Sequence, residues 1–327
     1  MLALADEAQR LRPSQPLRFR LGTGSVAVTS TNPTFHEVVR EEIVLTSSGT
    51  ASALDVAIDV WDTASTGLEP PPLPDFLDPS NPYSHSAHGV LVDPALGSAV
   101  AWSEANRRMV VWARDLSTLP EWYRAAPLRL PLTVVAPWVD AVLVHCSAVA
   151  GSRGAVLIVG RSGSGKSTTA RLAELSGCAH IADDQVVVSR VGGTAVAEAL
   201  YQARKFRLDN RALPDLLGAG DLRVVHSSPT KSVLRPRDTA AASGHLPIAA
   251  LVAPELGSAE PATELASTDM FHRLVRGTMT DTPVSEPRTL RALLSLAQST
   301  PSYSLGLRRD TDSIARDVVS LAGGAHV

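Results

Sequence analysis

Short apolar segments with a two-residue period dominate the first part of the chain. Val-rich stretches there alternate in part with polar residues and are separated by long polar turns, a pattern typical of half-buried antiparallel strands. The pattern predicts strands at 24–30, 38–46, 54–61, 88–92, 97–102 and 108–113. We therefore expect a β-rich N-terminal domain over residues 1–130.

A proline-rich segment interrupts this domain. Residues 69–82, EPPPLPDFLDPSNP, hold too many prolines for a helix or a sheet strand, so they are predicted to form a loop or a rigid spacer. His85 and His88 follow with no other metal ligand nearby in sequence. We interpret these two histidines as loop residues rather than as a metal site.

After residue 130 the pattern changes to alternating strands and helices. The predicted elements are strands at 142–149, 155–159 and 179–188 and helices at 166–176, 209–218, 268–276, 286–298 and 310–322. The last helix has Asp310 or Asp312 near its N-cap. This order predicts an α/β domain over residues 131–327, with a largely buried sheet and the C-terminal helices packed against it.

One apolar run is long enough to raise the question of a membrane helix. Residues 132–150 are almost all apolar and match the length of a bilayer span. Pro137, Asp140 and His145 interrupt the run, and a charge near the middle of a bilayer is costly. The Val-rich part favours a buried strand, so we expect no membrane association.

Composition narrows the class of protein. The 327 residues are 44% apolar and 19% charged, which is typical of a globular chain. Lys+Arg minus Asp+Glu is 30 − 33 = −3, so no strong positive field indicates nucleic acid as a partner. Two cysteines, Cys146 and Cys178, cannot form a disulfide framework, and the N-terminus has no apolar signal core. We expect a cytoplasmic protein.

Residues 160–167 carry the strongest chemical signal. They read GRSGSGKS and match the phosphate-loop pattern G-x-x-x-x-G-K-[ST], with an apolar strand before it and a helix after it. In such loops backbone N–H groups bind phosphate oxygens, the lysine reaches the β- and γ-phosphates, and the serine hydroxyl ligates Mg²⁺. We therefore predict that ATP or GTP binds with Mg²⁺. The predicted nucleotide-binding residues are Gly160, Arg161, Ser162, Gly163, Ser164, Gly165, Lys166, Ser167 and Thr168.

Two adjacent acids follow the phosphate loop. Asp183 and Asp184 stand at the end of the strand after the loop helix, where carboxylates can hold Mg²⁺ and accept a proton from an attacking hydroxyl. Neighbouring side chains of a strand point to opposite faces, so both acids can serve only if the strand has begun to turn. His145 lies on the strand before the loop strand, and sheet pairing could bring it beside the acids.

Three pieces of sequence together resemble HPr kinase/phosphorylase and its relatives, whose catalytic domain is related to phosphoenolpyruvate carboxykinases. They are HCSAV at 145–149, GRSGSGKS at 160–167 and ADDQ at 182–185, at spacings that agree with that family. Looser similarity, at 199–209 and 231–234, is to the kinase homologues found beside ribosomal-peptide maturation genes, for example those of lasso peptides. The Glu-x-Arg-Gly-x-Gly signature of HPr kinases is not found, which argues against HPr as the substrate.

The resemblance implies a Mg²⁺-dependent kinase that acts on a serine hydroxyl, with Lys166 and Ser167 handling phosphates and metal. It implies Asp184 as the general base, Asp183 as a metal ligand and His145 as the residue that orients the acids; the order of the two aspartates could be reversed. It further implies a homo-oligomer. We expect the N-terminal domain to recognise a peptide or protein substrate.

Lysine is rare in this chain, since Lys166, Lys205 and Lys231 are its only lysines among 30 cationic side chains. Lys205 and Lys231 each lie in a basic cluster and could clamp the transferring phosphoryl group, or dock an acidic peptide, or merely be solvated. Two other functions stay open on the sequence. One is a nucleotide-binding regulatory module without transfer, and the other is a kinase of a small hydroxylated metabolite.

Overall fold

Two compact units make up the chain, Met1–Asp140 and Ala141–Val327. The division falls after Asp140, whereas the change of hydrophobic pattern predicts it after residue 130. The computed structural model describes residues 1–45, 55–70, 89–93, 96–207, 221–227, 231–237, 244–279 and 287–323. The predicted helix at 209–218, His85, His88, most of the proline-rich segment and the side chain of Lys231 lie outside what it describes.

The first unit is built on a mixed six-stranded sheet in the order β1-β2-β3-β6-β5-β4, with parallel pairs β2/β3 and β3/β6 at its centre. Its strands are β1 (Leu17–Leu21), β2 (Gly24–Ser30), β3 (Val56–Asp62), β4 (Val90–Asp93), β5 (Ser98–Ser103) and β6 (Arg108–Ala113). Its helices are α1 (Leu2–Leu11), α2 (Pro33–Glu42), α3 (Thr63–Thr66), α4 (Glu121–Arg124) and α5 (Arg129–Val135), with 3₁₀ turns at Leu116–Thr118 and Ala136–Val139.

The strand predicted at 38–46 is wrong, because α2 occupies most of it. Asn32 caps this helix by accepting the backbone N–H of Phe35 at 3.0 Å, and Pro33 fits the first helical position. The buried residues of α2 recur at helical spacing, at 35, 38, 39 and 42. This period and the cap prevail over the strand preference of the two valines.

The second unit combines strands and helices, as the sequence predicts. Its strands are β7 (Ala141–Val144), β8 (Cys146–Gly151), β9 (Gly154–Val159), β10 (Ala179–Ala182), β11 (Val186–Val191), β12 (Thr194–Ala199), β13 (Arg204–Arg207), β14 (Leu222–Ser227), β15 (Lys231–Pro236), β16 (Leu246–Leu256), β17 (Thr263–Glu264) and β18 (Ser302–Leu307). Its helices are α6 (Lys166–Leu175), α7 (Ser267–Met279), α8 (Pro287–Ser299) and α9 (Thr311–Ala322), at positions that confirm four of the predicted helices. Asp310 is the N-cap of α9.

Helices cover both faces of a nine-stranded mixed sheet. Its main path is β10-β8-β9-β16-β12-β11-β7; β18 also pairs with β16, and β17 pairs with β18. Strands β13, β15 and β14 form a separate small sheet. Apolar residues of α6 and α9 pack on one face, and those of α7 and α8 pack on the other. Both faces of β8 and β9 are therefore buried, which explains their continuous apolar sequence.

The apolar run at 132–150 is divided between the two units. Its first part belongs to α5 and the following 3₁₀ turn, and its second part to β7 and β8. Among the described residues, the structure contains no helix with the length and apolarity that crossing a bilayer needs.

Two predicted strands are each broken in the structure. The strand predicted at 142–149 is interrupted at His145, between β7 and β8, and the one predicted at 179–188 is interrupted at Asp183–Gln185, between β10 and β11. At each break the chain crosses between the two edges of the sheet. Strands β8 and β10 pair with each other near one edge, whereas β7 and β11 pair with each other near the opposite edge. Continuous apolar sequence hides such a crossing, because both halves are buried.

Candidate active site

The phosphate-loop sequence forms a tight turn between β9 and α6. Gly163 and Gly165 adopt φ of 81° and 95°, the left-handed region that glycine enters without steric cost. A Cβ on Gly160 would lie 2.5 Å from Oγ and 3.2 Å from Cβ of Ser164, so a side chain at position 160 would force Ser164 to move. Helix α6 begins at Lys166 with Gly165 as its N-cap, which points the N–H groups of its first turn into the loop.

Lys166 lies across this loop. Its side chain is buried, and Nζ donates to the carbonyl oxygens of Gly160 and Arg161, at 2.8 and 3.1 Å. Arg161, Ser162 and Gly163 are exposed. These two acceptors are neutral, and an anionic phosphate could replace them with a stronger charge-assisted interaction.

The two strand breaks bring the histidine and the acids together. Val144 pairs with Val186 on one side of the breaks, and Ala148 pairs with Ala182 on the other. Residues 145–147 and 183–185 are thus enclosed between two ladder pairs and must lie side by side. Cys146 also pairs with Val159, the last residue before the phosphate loop, so all three sequence pieces meet at one end of the sheet.

Asp183 is buried and is held by three donors from three elements. Its Oδ1 accepts the hydroxyl of Ser167 on α6 at 2.8 Å and the hydroxyl of Ser147 on β8. Its Oδ2 accepts the backbone N–H of Lys205 on β13 at 2.9 Å. The carboxylate therefore lies directly against the serine of the phosphate loop.

Asp184 points to a different set of partners. Its φ of 76° shows that the strand has turned, as the sequence requires if both acids are to serve one site. Its Oδ2 accepts Nζ of Lys205 at 2.8 Å, and its Oδ1 lies 3.6 Å from Nε2 of His145. The side chain of Asp184 is 18% exposed, so a substrate hydroxyl could reach it.

The C-terminal turn of α7 closes the site from the face opposite α6. Thr278 is buried, and its Oγ1 accepts the backbone N–H of His145 at 3.3 Å. A Cβ on Gly277 would lie 3.3 Å from the carbonyl oxygen of Gly160 and 3.6 Å from that of His145. The helix can approach the loop this closely because position 277 has no side chain.

Cys146 lies beside the site without being a reactive thiol. Burial raises the pKa of its thiol, an effect that the charge of Asp183 supports and that of Lys166 opposes. Cys178 is also buried, and burial raises its pKa as well. Both cysteines are therefore protonated at neutral pH and act as small apolar residues.

The structure places most of the predicted site residues together and adds others. One end of the sheet brings together Lys166, Ser167, Asp183, Asp184 and His145. Lys205 joins them through both its backbone and its ammonium group. The sequence reading missed Ser147 and the Gly277–Thr278 pair. Ser147 stands two residues after His145 as a polar position in an apolar run, a signal that could have been noticed.

These residues could hold a nucleotide phosphate and one Mg²⁺ ion. Oγ of Ser164 is buried without a hydrogen-bond partner among the described residues, so this hydroxyl could bond a phosphate oxygen. No group of three or more His, Cys, Asp or Glu side chains in the described part of the chain is placed to hold a metal ion. Mg²⁺ does not need one, because it commonly binds through one or two carboxylates and the substrate phosphates.

Comparison with known proteins gives no independent assignment. No model of a known protein family matches the chain, and no curated protein sequence is significantly similar to it. The function is therefore inferred from the residues and geometry of this site.

Proposed function

We propose that the protein is a Mg²⁺-dependent kinase that transfers the γ-phosphate of ATP or GTP to a hydroxyl, namely a serine of a peptide or protein. The second unit would then be a catalytic domain similar to that of HPr kinases and phosphoenolpyruvate carboxykinases. The observation that carries the proposal is the contact of Ser167 with Asp183 beside a phosphate loop, with a second carboxylate turned away from that contact.

The two aspartates have different surroundings, and these support different roles. Asp183 bonds the loop serine that ligates Mg²⁺ in phosphate-loop enzymes, so Ser167 and Asp183 would hold the ion together. The bound ion would offset the charge that develops on the β- and γ-phosphate oxygens. Lys166 would leave the carbonyl oxygens of its own loop and neutralise the same phosphates.

Asp184 is the general base in this proposal. The acceptor oxygen forms a bond to the γ-phosphorus while the bond from that phosphorus to the β–γ bridging oxygen breaks, and the hydroxyl proton passes to the Asp184 carboxylate. Lys205 and His145 restrict the rotation of this carboxylate from two sides, at 2.8 and 3.6 Å. The nucleoside diphosphate leaves with the electron pair of the broken bond.

The first experiment needs no acceptor. Purified protein is titrated with Mg-ATP and Mg-GTP by calorimetry, and slow hydrolysis is followed in parallel. A charge-assisted hydrogen bond contributes about 1.5–3 kcal/mol, so Lys166→Ala should weaken binding of the preferred nucleotide by about 10- to 100-fold. Arg190→Ala removes a cation that bonds Ser295 and Ser299 outside the site, and should bind as the wild type does.

Labelled nucleotide and serine-containing peptides then test transfer. Phosphoserine formed by the wild type and lost in Lys166→Ala supports the kinase. Absence of binding to either nucleotide would overturn the proposal. Tight binding without transfer to any offered peptide or small hydroxyl compound would favour a regulatory nucleotide-binding module instead.

A further inference from the structure

Ser147 is a fully buried polar residue in an apolar strand. Its relative exposure is 0%, and its neighbours on β8, Cys146 and Ala148, are equally buried. A hydroxyl taken out of water costs free energy unless it makes a hydrogen bond. The bond that Ser147 makes is to Oδ1 of Asp183, the oxygen that also accepts Ser167.

Three bonds fix the orientation of the Asp183 carboxylate. Ser147 binds Oδ1 from the sheet, whereas the backbone N–H of Lys205 binds Oδ2 from β13. Bonds to both oxygens from two elements prevent rotation of the carboxylate about its terminal torsion, which is otherwise broad. Ser167, the third donor, lies on the phosphate-loop side, where a nucleotide-bound cation would lie.

We infer that Ser147 is a positioning residue for the divalent cation: it holds Asp183 in the orientation that binds Mg²⁺ together with Ser167. This inference rests on the proposed function, since it assumes that Asp183 and Ser167 share the ion. Ser147 does not touch the nucleotide or the ion. Its hydroxyl acts through the carboxylate, as the hydrogen-bonding partners of metal ligands do in other proteins.

Removal of such an outer partner typically costs 10- to 100-fold in metal affinity. We therefore expect Ser147→Ala to weaken the binding of Mn²⁺, used as a paramagnetic probe, to the complex with ATP or GTP by about that factor. Nucleotide affinity in EDTA should change less than about threefold, because the phosphate loop keeps all its own donors. Ser147→Cys, which keeps the volume but offers a weak donor, should resemble Ser147→Ala. Ser147→Thr retains the hydroxyl and should bind Mn²⁺ more tightly than either.

The chain offers a matched control in Ser189 on β11. This serine is equally buried in the same sheet, but its hydroxyl has no hydrogen-bond partner among the described residues. Ser189→Ala should therefore leave Mn²⁺ affinity unchanged. Circular dichroism and thermal unfolding of all variants establish that the fold survives.

The possible outcomes distinguish failure of this inference from failure of the proposed function. Wild-type Mn²⁺ affinity in both Ser147→Ala and Ser147→Cys would overturn the inference and leave the kinase proposal standing. Equal losses of nucleotide affinity with and without metal would also overturn it, because Ser147 would then act on the loop. Failure of the wild type to bind Mn²⁺ with either nucleotide would overturn both.

Discussion

The two ends of helix α6 carry polar clusters of opposite design. At its N-terminus lies the candidate site, in which Lys166 is held by carbonyl oxygens and Ser167 by a carboxylate. At its C-terminal half, Arg171 bonds Asp221 at 2.5 and 2.8 Å, and Glu174 lies 2.5 Å from Arg204. The first cluster holds Lys166 on carbonyl oxygens and pairs Lys205 with Asp184, whereas the second consists of pairs between arginine and a carboxylate.

This difference separates a cluster suited to exchanging ligands from one that holds the structure together. Hydrogen bonding from Arg171 lowers the pKa of Asp221, which favours the ionised carboxylate in this pair. Arg171 and Arg204 are buried, so separating either guanidinium group from the carboxylate that faces it would be costly. The carbonyl oxygens that accept Nζ of Lys166 are neutral, and a phosphate oxygen in their place would form a stronger charge-assisted hydrogen bond.

Strand β13 contributes adjacent residues to both clusters. Because neighbouring side chains of a strand point to opposite faces, Arg204 reaches Glu174 while Lys205 reaches Asp184. The small sheet is thereby joined to both ends of α6. Substitutions that break either cluster test whether the first is needed for ligand exchange and activity and the second for stability.

The largest effect is expected at Asp184. Asp184→Asn keeps the shape and tolerates the left-handed backbone, but it removes the carboxylate that we propose as the proton acceptor. We expect phosphoryl transfer to fall by about 10²- to 10⁴-fold while nucleotide affinity changes little. Transfer is measured with labelled nucleotide, and affinity by calorimetry.

Asp140→Asn is the matched control for this substitution. Asp140 is an exposed aspartate that also has a left-handed backbone, with φ of 52°, and it belongs to the other unit. It should retain wild-type transfer. Full activity in Asp184→Asn would remove Asp184 from the role of base.

A large loss of stability is expected at the other end of α6. Glu174→Gln removes the negative charge that Arg171 and Arg204 share, and both guanidinium groups are buried. Breaking a buried pair on one side costs about 3–5 kcal/mol, and we expect a loss near the lower value because Asp221 still faces Arg171. Urea unfolding measures the change. Glu121→Gln, which breaks the exposed pair with Arg124, should cost at most about 0.5 kcal/mol; equal losses in both variants would contradict the comparison.

The smallest effect concerns pH. Burial, followed by the charges of Arg204 and Arg171, lowers the pKa of His180 well below its ordinary value of 6.5. As pH falls below 6.5, the unfolded chain takes up a proton at this position that the folded chain does not, so folded stability decreases. The contribution amounts to about 1 kcal/mol between pH 7 and 5.5.

His180→Gln should remove that part of the pH dependence. Urea unfolding at several pH values measures it, and His272→Gln, at an exposed position of the same unit, serves as the control. If wild type and His180→Gln lose stability in parallel as pH falls, His180 is not responsible for the loss.

Short-range sequence patterns predicted the helices whose positions such patterns determine. The phosphate loop and the helices at 166–176, 268–276, 286–298 and 310–322 are written in short-range spacing and caps, and the structure has helices at all four. The strand predicted at 38–46 failed because two valines outweighed a helical period and an N-cap that were equally visible. The strand break at His145 could not be predicted, since only the pairing of distant strands produces it, whereas the break at Asp183–Gln185 was expected if both acids serve one site.

The candidate site, too, could be predicted only where short-range motifs and spacing define it. Lys166, Ser167 and the two acids follow from motif and spacing, and a turn at the acids follows from the requirement that both serve one site. Ser147 was visible as a polar position in an apolar run, but its partner and that of Thr278 could not be assigned, because these partners lie 36 and 133 residues away in sequence. Contacts across that separation are set by how β8 and α7 pack, which one sequence does not reveal.

The left-handed backbone at Asp184 also limits how this protein could change in evolution. With φ of 76°, the position accepts glycine, asparagine and aspartate readily, whereas β-branched or bulky residues would be strained there. Codons for asparagine and glycine each differ from those for aspartate by a single base. A descendant that lost the proposed catalysis while keeping its fold would therefore be expected to carry asparagine or glycine at position 184. The backbone turn that presents the carboxylate thus also limits which residues could replace it.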